Sequence, residues 1–229
     1  MGADRFRCWL KSAGWSRWVT VVLLFGVYFA VSRFQQFEPT APRPVITADR
    51  SAPPKVLPPE RYTQLSRSNL DRAIAFMRVV DHAGGRRGTD LERNAIELNV
   101  SRLIAQLQDL RVSVVLLEPD QTLAQGEWNY RRREIRIHPG VLKVGLRSFS
   151  RTLHHEVLHV TQSCSGGGLT RRPRLIGFES PPTDRIKAIL QRPPYAGLSQ
   201  EVHDLESEAF LMQDQPELVR RLLRQFCLP

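Results

Sequence analysis

The order of apolar and polar positions divides the chain into an apolar run, a stretch without any period, and a long patterned remainder. From Trp18 to Ser32 the run WVTVVLLFGVYFAVS carries no charge and shows no amphipathic period. Between residues 38 and 59 the apolar pattern vanishes. Prolines at 39, 42, 44, 53, 54, 58 and 59 favour extended backbone there, which builds no packed element. Patterning begins near Glu60. Leu65, Ile74, Phe76, Met77 and Val80 predict a helix over 60–81, which the glycines of GGRRG (84–88) end. A second helix is predicted over 90–110, because Leu91, Ile96, Val100, Leu103, Ile104 and Leu107 recur at helical spacing behind a capping Thr89 or Asp90. The β-branched run Arg111–Leu117 reads as a strand, stopped by Pro119. Gly126–Tyr130 and Glu134–His138 read as two more strands, and Pro139-Gly140 as a turn. A long helix follows over 146–163 and halts at the three glycines 166–168. Residues 171–198 are proline-rich and irregular apart from a helical piece at 184–190, and helices over 199–213 and 216–226 close the chain.

These elements predict an α+β class, with a small sheet placed before one long helix. Three segments follow: 1–37 with basic residues and the apolar run, 38–59 as linker, and 60–229 as one folded domain. Apolar residues make up 41% of the chain, enough for a core, and three cysteines are too few for a disulfide-built miniprotein.

Charge changes the picture in one respect. The formal +10 rests mostly on arginine and invites a nucleic-acid reading. Eight basic residues against three acidic ones fall before Glu60, so half of the surplus lies outside the folded domain. Arg5, Arg7, Lys11 and Arg17 ahead of an apolar run form the pattern of an uncleaved signal anchor, which needs about 20 residues and reaches that length from Trp15 to Phe34. This predicts a single-pass membrane protein with a cytoplasmic N-terminus, an extracytoplasmic domain and the lipid bilayer as a partner. The alternative is secretion after signal-peptide cleavage. Nucleic acid is not an expected partner. Arg131–Arg133 and Arg171, Arg172 and Arg174 read as solvated loops able to attract anions.

The long helix holds HHEVLH, in which His155, Glu156 and His159 form H-E-x-x-H. Residues four apart project from one helix face, so two imidazoles can converge on one metal ion. Glu156 follows about 100° round the helix, close enough to take a proton from an attacking water as general base. Imidazole ligands in a hydrolytic arrangement point to one Zn2+ ion. The helix has suitable sides: Leu146, Phe149, Leu153, Val157 and Val160 form an apolar stripe, and Ser148, Thr152, His155, His159 and Gln162 a polar one. His154 falls on neither and reads as a surface or supporting residue. A third protein ligand is required. Metzincins place it in H-x-x-G-x-x-H, but Gln162 and Ser165 occupy the matching positions. The segment QEVHDLESEAF supplies candidates instead. Glu206 shares a face with Val202, Leu205 and Ala209 and is the first choice. Glu208, placed on a more exposed face, is the alternative ligand, and His203 is a third option. His203 and Tyr195 are candidates to stabilise an oxyanion, His203 also by hydrogen-bonding the glutamate.

HEVLH on one helix, Glu206–Ala209 (E-x-x-A) on a later helix and a strand at Glu134–His138 resemble the zincin metallopeptidases of gluzincin type. The resemblance spans roughly residues 128–213. It implies a zincin-like fold in which a small mixed sheet packs on the H-E-x-x-H helix, while the C-terminal helices supply the glutamate ligand. It further implies a peptide or protein substrate lying extended along Glu134–His138 as an edge strand. The expected function is a membrane-anchored zinc-dependent peptidase. The rivals are a catalytically inactive zinc-binding scaffold, and a basic extracytoplasmic module binding anionic lipid or nucleic acid. Cys164 ends the metal helix and Cys227 ends the chain, so a disulfide between them would pin the last helix to the metal helix.

Overall fold

The computed structural model describes residues 63–228, except 86, 87 and 179. Four strands and six α-helices occur among them. In chain order these are β1 (Thr63–Gln64), α1 (Arg67–Ala83), α2 (Asp90–Asp109), β2 (Ser113–Leu116), β3 (Gly126–Asn129), β4 (Glu134–Ile137), α3 (Leu146–Ser165), α4 (Asp184–Leu190), α5 (Gln200–Met212) and α6 (Pro216–Cys227), with a 3-10 turn at Pro139–Lys143 before α3. The class is mixed α+β.

Hydroxyl side chains start four of the helices. Ser66, Thr89, Thr183 and Ser199 each accept from a backbone N–H in the first turn of α1, α2, α4 and α5. The predicted helix over 60–81 is shorter, because Thr63 and Gln64 pair with β2 and Ser66 opens the helix only at Arg67. Helix α3 begins differently. Gly145 adopts φ 110°, a conformation glycine tolerates, and Leu146 N donates to Asp81 Oδ2 of α1 at 3.1 Å. An orphan amide of the first turn is thereby satisfied from another helix.

The sheet is mixed, in the order β1-β2-β4-β3. β2 runs parallel to β4, with Val114 opposite Ile135 and Leu116 opposite Ile137. β3 runs antiparallel to β4 and forms one edge. The expectation of an edge at Glu134–His138 is therefore corrected. Both faces of β4 are covered, since Ile135, Arg136 and Ile137 are all buried, and strands flank it on both sides. Arg136 can be buried because Glu134 (2.9 Å), Asp120 and Glu127 surround its guanidinium.

Helix α3 is the hub. It is buried nearly all round rather than along one stripe, packing against α6, α5, α2 and β3. His154, expected at the surface or in a supporting role, is 3% exposed, and burial lowers its pKa to about 4. Cys164 and Cys227 are joined by a disulfide that fastens the end of α6 to the end of α3. The bridge closes a 63-residue separation, worth about 4 kcal/mol on the chain-entropy account. Cys227→Ser should lower unfolding free energy by ~2–4 kcal/mol in a denaturant titration. An unchanged midpoint would show that the bridge adds nothing to the packing of α6.

The expectation of a single-pass membrane protein is corrected: among the described residues no helix is long and apolar enough to cross a membrane. Each of them mixes charged residues into its sequence. The run Trp18–Ser32 and the boundaries at 37 and 59 lie outside the described residues.

Candidate metal centre

Helices α3 and α5 cross so that three side chains meet. His155 Nε2 lies 3.2 Å from His159 Nε2, the spacing expected of residues one turn apart. Glu206, from the middle of α5, places Oε2 2.9 Å from His155 Nε2 and Oε1 3.4 Å from His159 Nε2. One donor atom from each lies within 4.8 Å of the others. Tetrahedral zinc with bonds of 2.0–2.1 Å separates its ligand atoms by about 3.3 Å, so this donor set fits that ion in both type and spacing.

Electrostatics point the same way. Burial pulls the His159 imidazole down, but the Glu206 carboxylate outweighs it and raises the pKa to about 9. Burial likewise raises Glu206, yet the charges and hydrogen bonds of His159 and His155 hold it well below the usual carboxylate range. The negative potential that favours a proton on His159 would equally favour a dication between these groups.

Glu156 lies beside the cluster, 4% exposed, and burial pushes its pKa up to about 7, against the lowering charge of the two imidazoles. Its position depends on a residue that the motif does not contain. Along β3 the side chains alternate, so Gly126 faces α3 as Trp128 does. Trp128 Nε1 donates to Ser163 Oγ at 2.8 Å and holds the strand on the helix. A Cβ on Gly126 would meet Glu156 Oε1 at 2.5 Å and Cγ at 2.8 Å. Only glycine leaves Glu156 where it is. Gly126→Ala should displace the Glu156 carboxyl and cost ~1–3 kcal/mol from overpacking. A thermal melt tests this; a wild-type midpoint would remove the constraint.

The cluster opens into a cleft of about 400 Å³ bordered by β3, the loop at Arg172-Pro173, α5 and Tyr195. Tyr195 lines the cleft and packs edge-on against Phe210 at 5.6 Å, and Phe210 packs on the His155 ring at 4.5 Å. Burial, then the charges of Glu206 and Glu156, raise the Tyr195 hydroxyl, so it stays a donor at neutral pH. Gln121 Nε2 donates to Pro194 O at 3.2 Å, tying the loop before β3 to the loop that carries Tyr195.

Two candidates fall elsewhere. His203 Nε2 donates to Tyr195 O at 3.0 Å, so it braces that loop instead of facing Glu206 or an oxyanion. Glu208 does not join the cluster of His155, His159 and Glu206. It is 4% exposed, and its carboxyl accepts from the backbone N–H groups of Ile176 (2.9 Å), Gly177 (2.8 Å) and Phe178 (3.1 Å). The face of α5 expected to be exposed is covered by the loop after α3, whose amides occupy that carboxyl. Arg172 reaches the cleft, whereas Arg171, Arg174 and Arg131–Arg133 are exposed. Sequence reasoning missed Gly126, Phe210 and the role of Gln162. Of these, only Gln162 left a signal, since it lies three residues after His159 on the same polar stripe.

Residues 121–228 match the profile of a family described as a domain of unknown function (DUF8637), a span that includes β3, β4, helices α3 and α5 and the disulfide. No curated protein and no solved structure matches the chain.

Proposed function

We propose that residues 63–228 form a zincin-like zinc peptidase of gluzincin type, in which His155, His159 and Glu206 hold one Zn2+. The observation that carries this reading is the convergence of those three donors beside the buried carboxyl of Glu156 in an open cleft. Zinc held there would lower the pKa of a coordinated water towards ~7 and polarise a carbonyl. Glu156 accepts the proton of the attacking water and delivers it to the leaving amine, a task suited to a carboxyl poised near neutral pH. Tyr195, protonated and in the cleft wall, donates to the oxygen that gains charge. β3 is the sheet edge beside the site, so an extended peptide pairs along Gly126–Asn129 as an added strand.

The test is metal content and turnover together. Purified chain should carry about one zinc, hydrolyse an unfolded polypeptide such as casein, lose activity to a chelator and regain it with zinc. Protein that binds no zinc defeats the reading. Zinc bound stoichiometrically without any hydrolysis would leave the scaffold alternative.

A further inference from the structure

Gln162 stands one turn beyond His159 on α3 and is fully buried. Its Oε1 lies 2.7 Å from His159 Nδ1. Its Nε2 lies 2.8 Å from Glu208 Oε2 and 3.0 Å from Leu205 O. An amide has one accepting end and one donating end, and its neighbours decide which faces which way. Leu205 O can only accept. The Glu208 carboxyl already accepts from the amides of Ile176, Gly177 and Phe178, which can only donate. The Gln162 nitrogen must therefore face Glu208 and Leu205, and its oxygen must face His159. His159 then carries a proton on Nδ1, so Nε2, facing His155 and Glu206, is the nitrogen left to give up its proton to a metal. His155 has no such support, since its Nδ1 is buried without a hydrogen-bond partner.

We propose that Gln162 is a positioning residue that holds His159 in its metal-binding tautomer. Glu208 sets the orientation of Gln162, so the loop Ile176–Phe178 and the metal centre form one hydrogen-bonded unit. The buried carboxyl that sequence reasoning offered as a rival ligand acts instead through Gln162 on the ligand His159. The proposal rests on the zinc reading for its consequence, but the hydrogen-bond chain exists in the metal-free protein. Outer partners of this kind typically change metal affinity by 10–100-fold.

The experiment uses the whole chain, zinc alone as probe, and Gln162→Met, which keeps the side-chain length and removes all three side-chain hydrogen bonds. Zinc affinity measured by chelator competition should fall about 10–100-fold, with an unchanged circular dichroism spectrum. In proton NMR the hydrogen-bonded Nδ1–H of His159 should be visible in wild type and lost in the variant. Glu208→Gln should weaken zinc binding less, and should lose amide-exchange protection at 176–178. Should Gln162→Met fail to fold, loss of the same imidazole proton in Glu208→Gln carries the test. Wild-type zinc affinity together with a persistent imidazole proton in Gln162→Met overturns the relay and leaves the metal site standing. If wild-type chain binds no zinc, the peptidase reading falls. The proton in the metal-free chain then still decides the relay: its loss in Gln162→Met supports it, its persistence overturns it.

Discussion

Glu156→Gln should lower kcat/KM by about 10²–10⁴-fold while the chain keeps its zinc, because the substitution removes proton transfer and little else. Glutamine has the size of glutamate, so the contact with Gly126 and the packing of α3 against β3 are preserved. The variant should also melt no lower than wild type, since burial disfavours the Glu156 charge and an amide carries none. The pH profile supplies a second readout. A base works only when deprotonated, so wild-type kcat/KM should rise with pH through the Glu156 titration, and the variant should lose that acidic limb. Hydrolysis at the wild-type rate would remove Glu156 as the base. A loss of zinc along with activity would assign it to holding the metal.

Glu206→Ala should reduce bound zinc from about one per chain to near zero and abolish hydrolysis. Two imidazoles alone do not complete the three-ligand set of a catalytic zinc site. The variant also removes the negative charge that holds a proton on His159, so the pKa of that imidazole should drop from about 9. In wild-type chain, zinc must displace that proton, and its affinity should climb as pH rises towards 9. Metal analysis after dialysis, repeated across pH, checks both statements. Full zinc retention in Glu206→Ala would refute the third ligand. Loss of zinc in Glu208→Gln as complete as in Glu206→Ala would return Glu208 to the ligand set.

Local features of the chain are legible in the sequence because their physics is local. Helix spacing sets His155 and His159 on one face, and side-chain oxygens at Ser66, Thr89, Thr183 and Ser199 satisfy N–H groups only three residues away. The α+β class follows from the same short-range periods. Burial is less local. The stripe on α3 identifies its most apolar side, but polar His154, Thr161 and Gln162 are buried as well, because helices and sheet enclose α3 from several directions.

Sequence alone placed His155 and His159 on one helix face beside Glu156 and offered a small set of carboxylates to join them. Tertiary structure brings Glu206 rather than Glu208 to the two imidazoles. Glu206 and Glu208 stand two residues, about 200°, apart on α5; the apolar face favours Glu206 as the inward carboxyl but does not reveal that the loop after α3 buries Glu208 as well. Strand order was equally hidden, because the placement of β4 inside and β3 at the edge depends on pairings between distant segments. Gly126 shows the limit most plainly. Its lack of a side chain matters only because β3 lies against α3 in a register that would put a Cβ at position 126 within 3 Å of Glu156, a residue 30 positions along the chain.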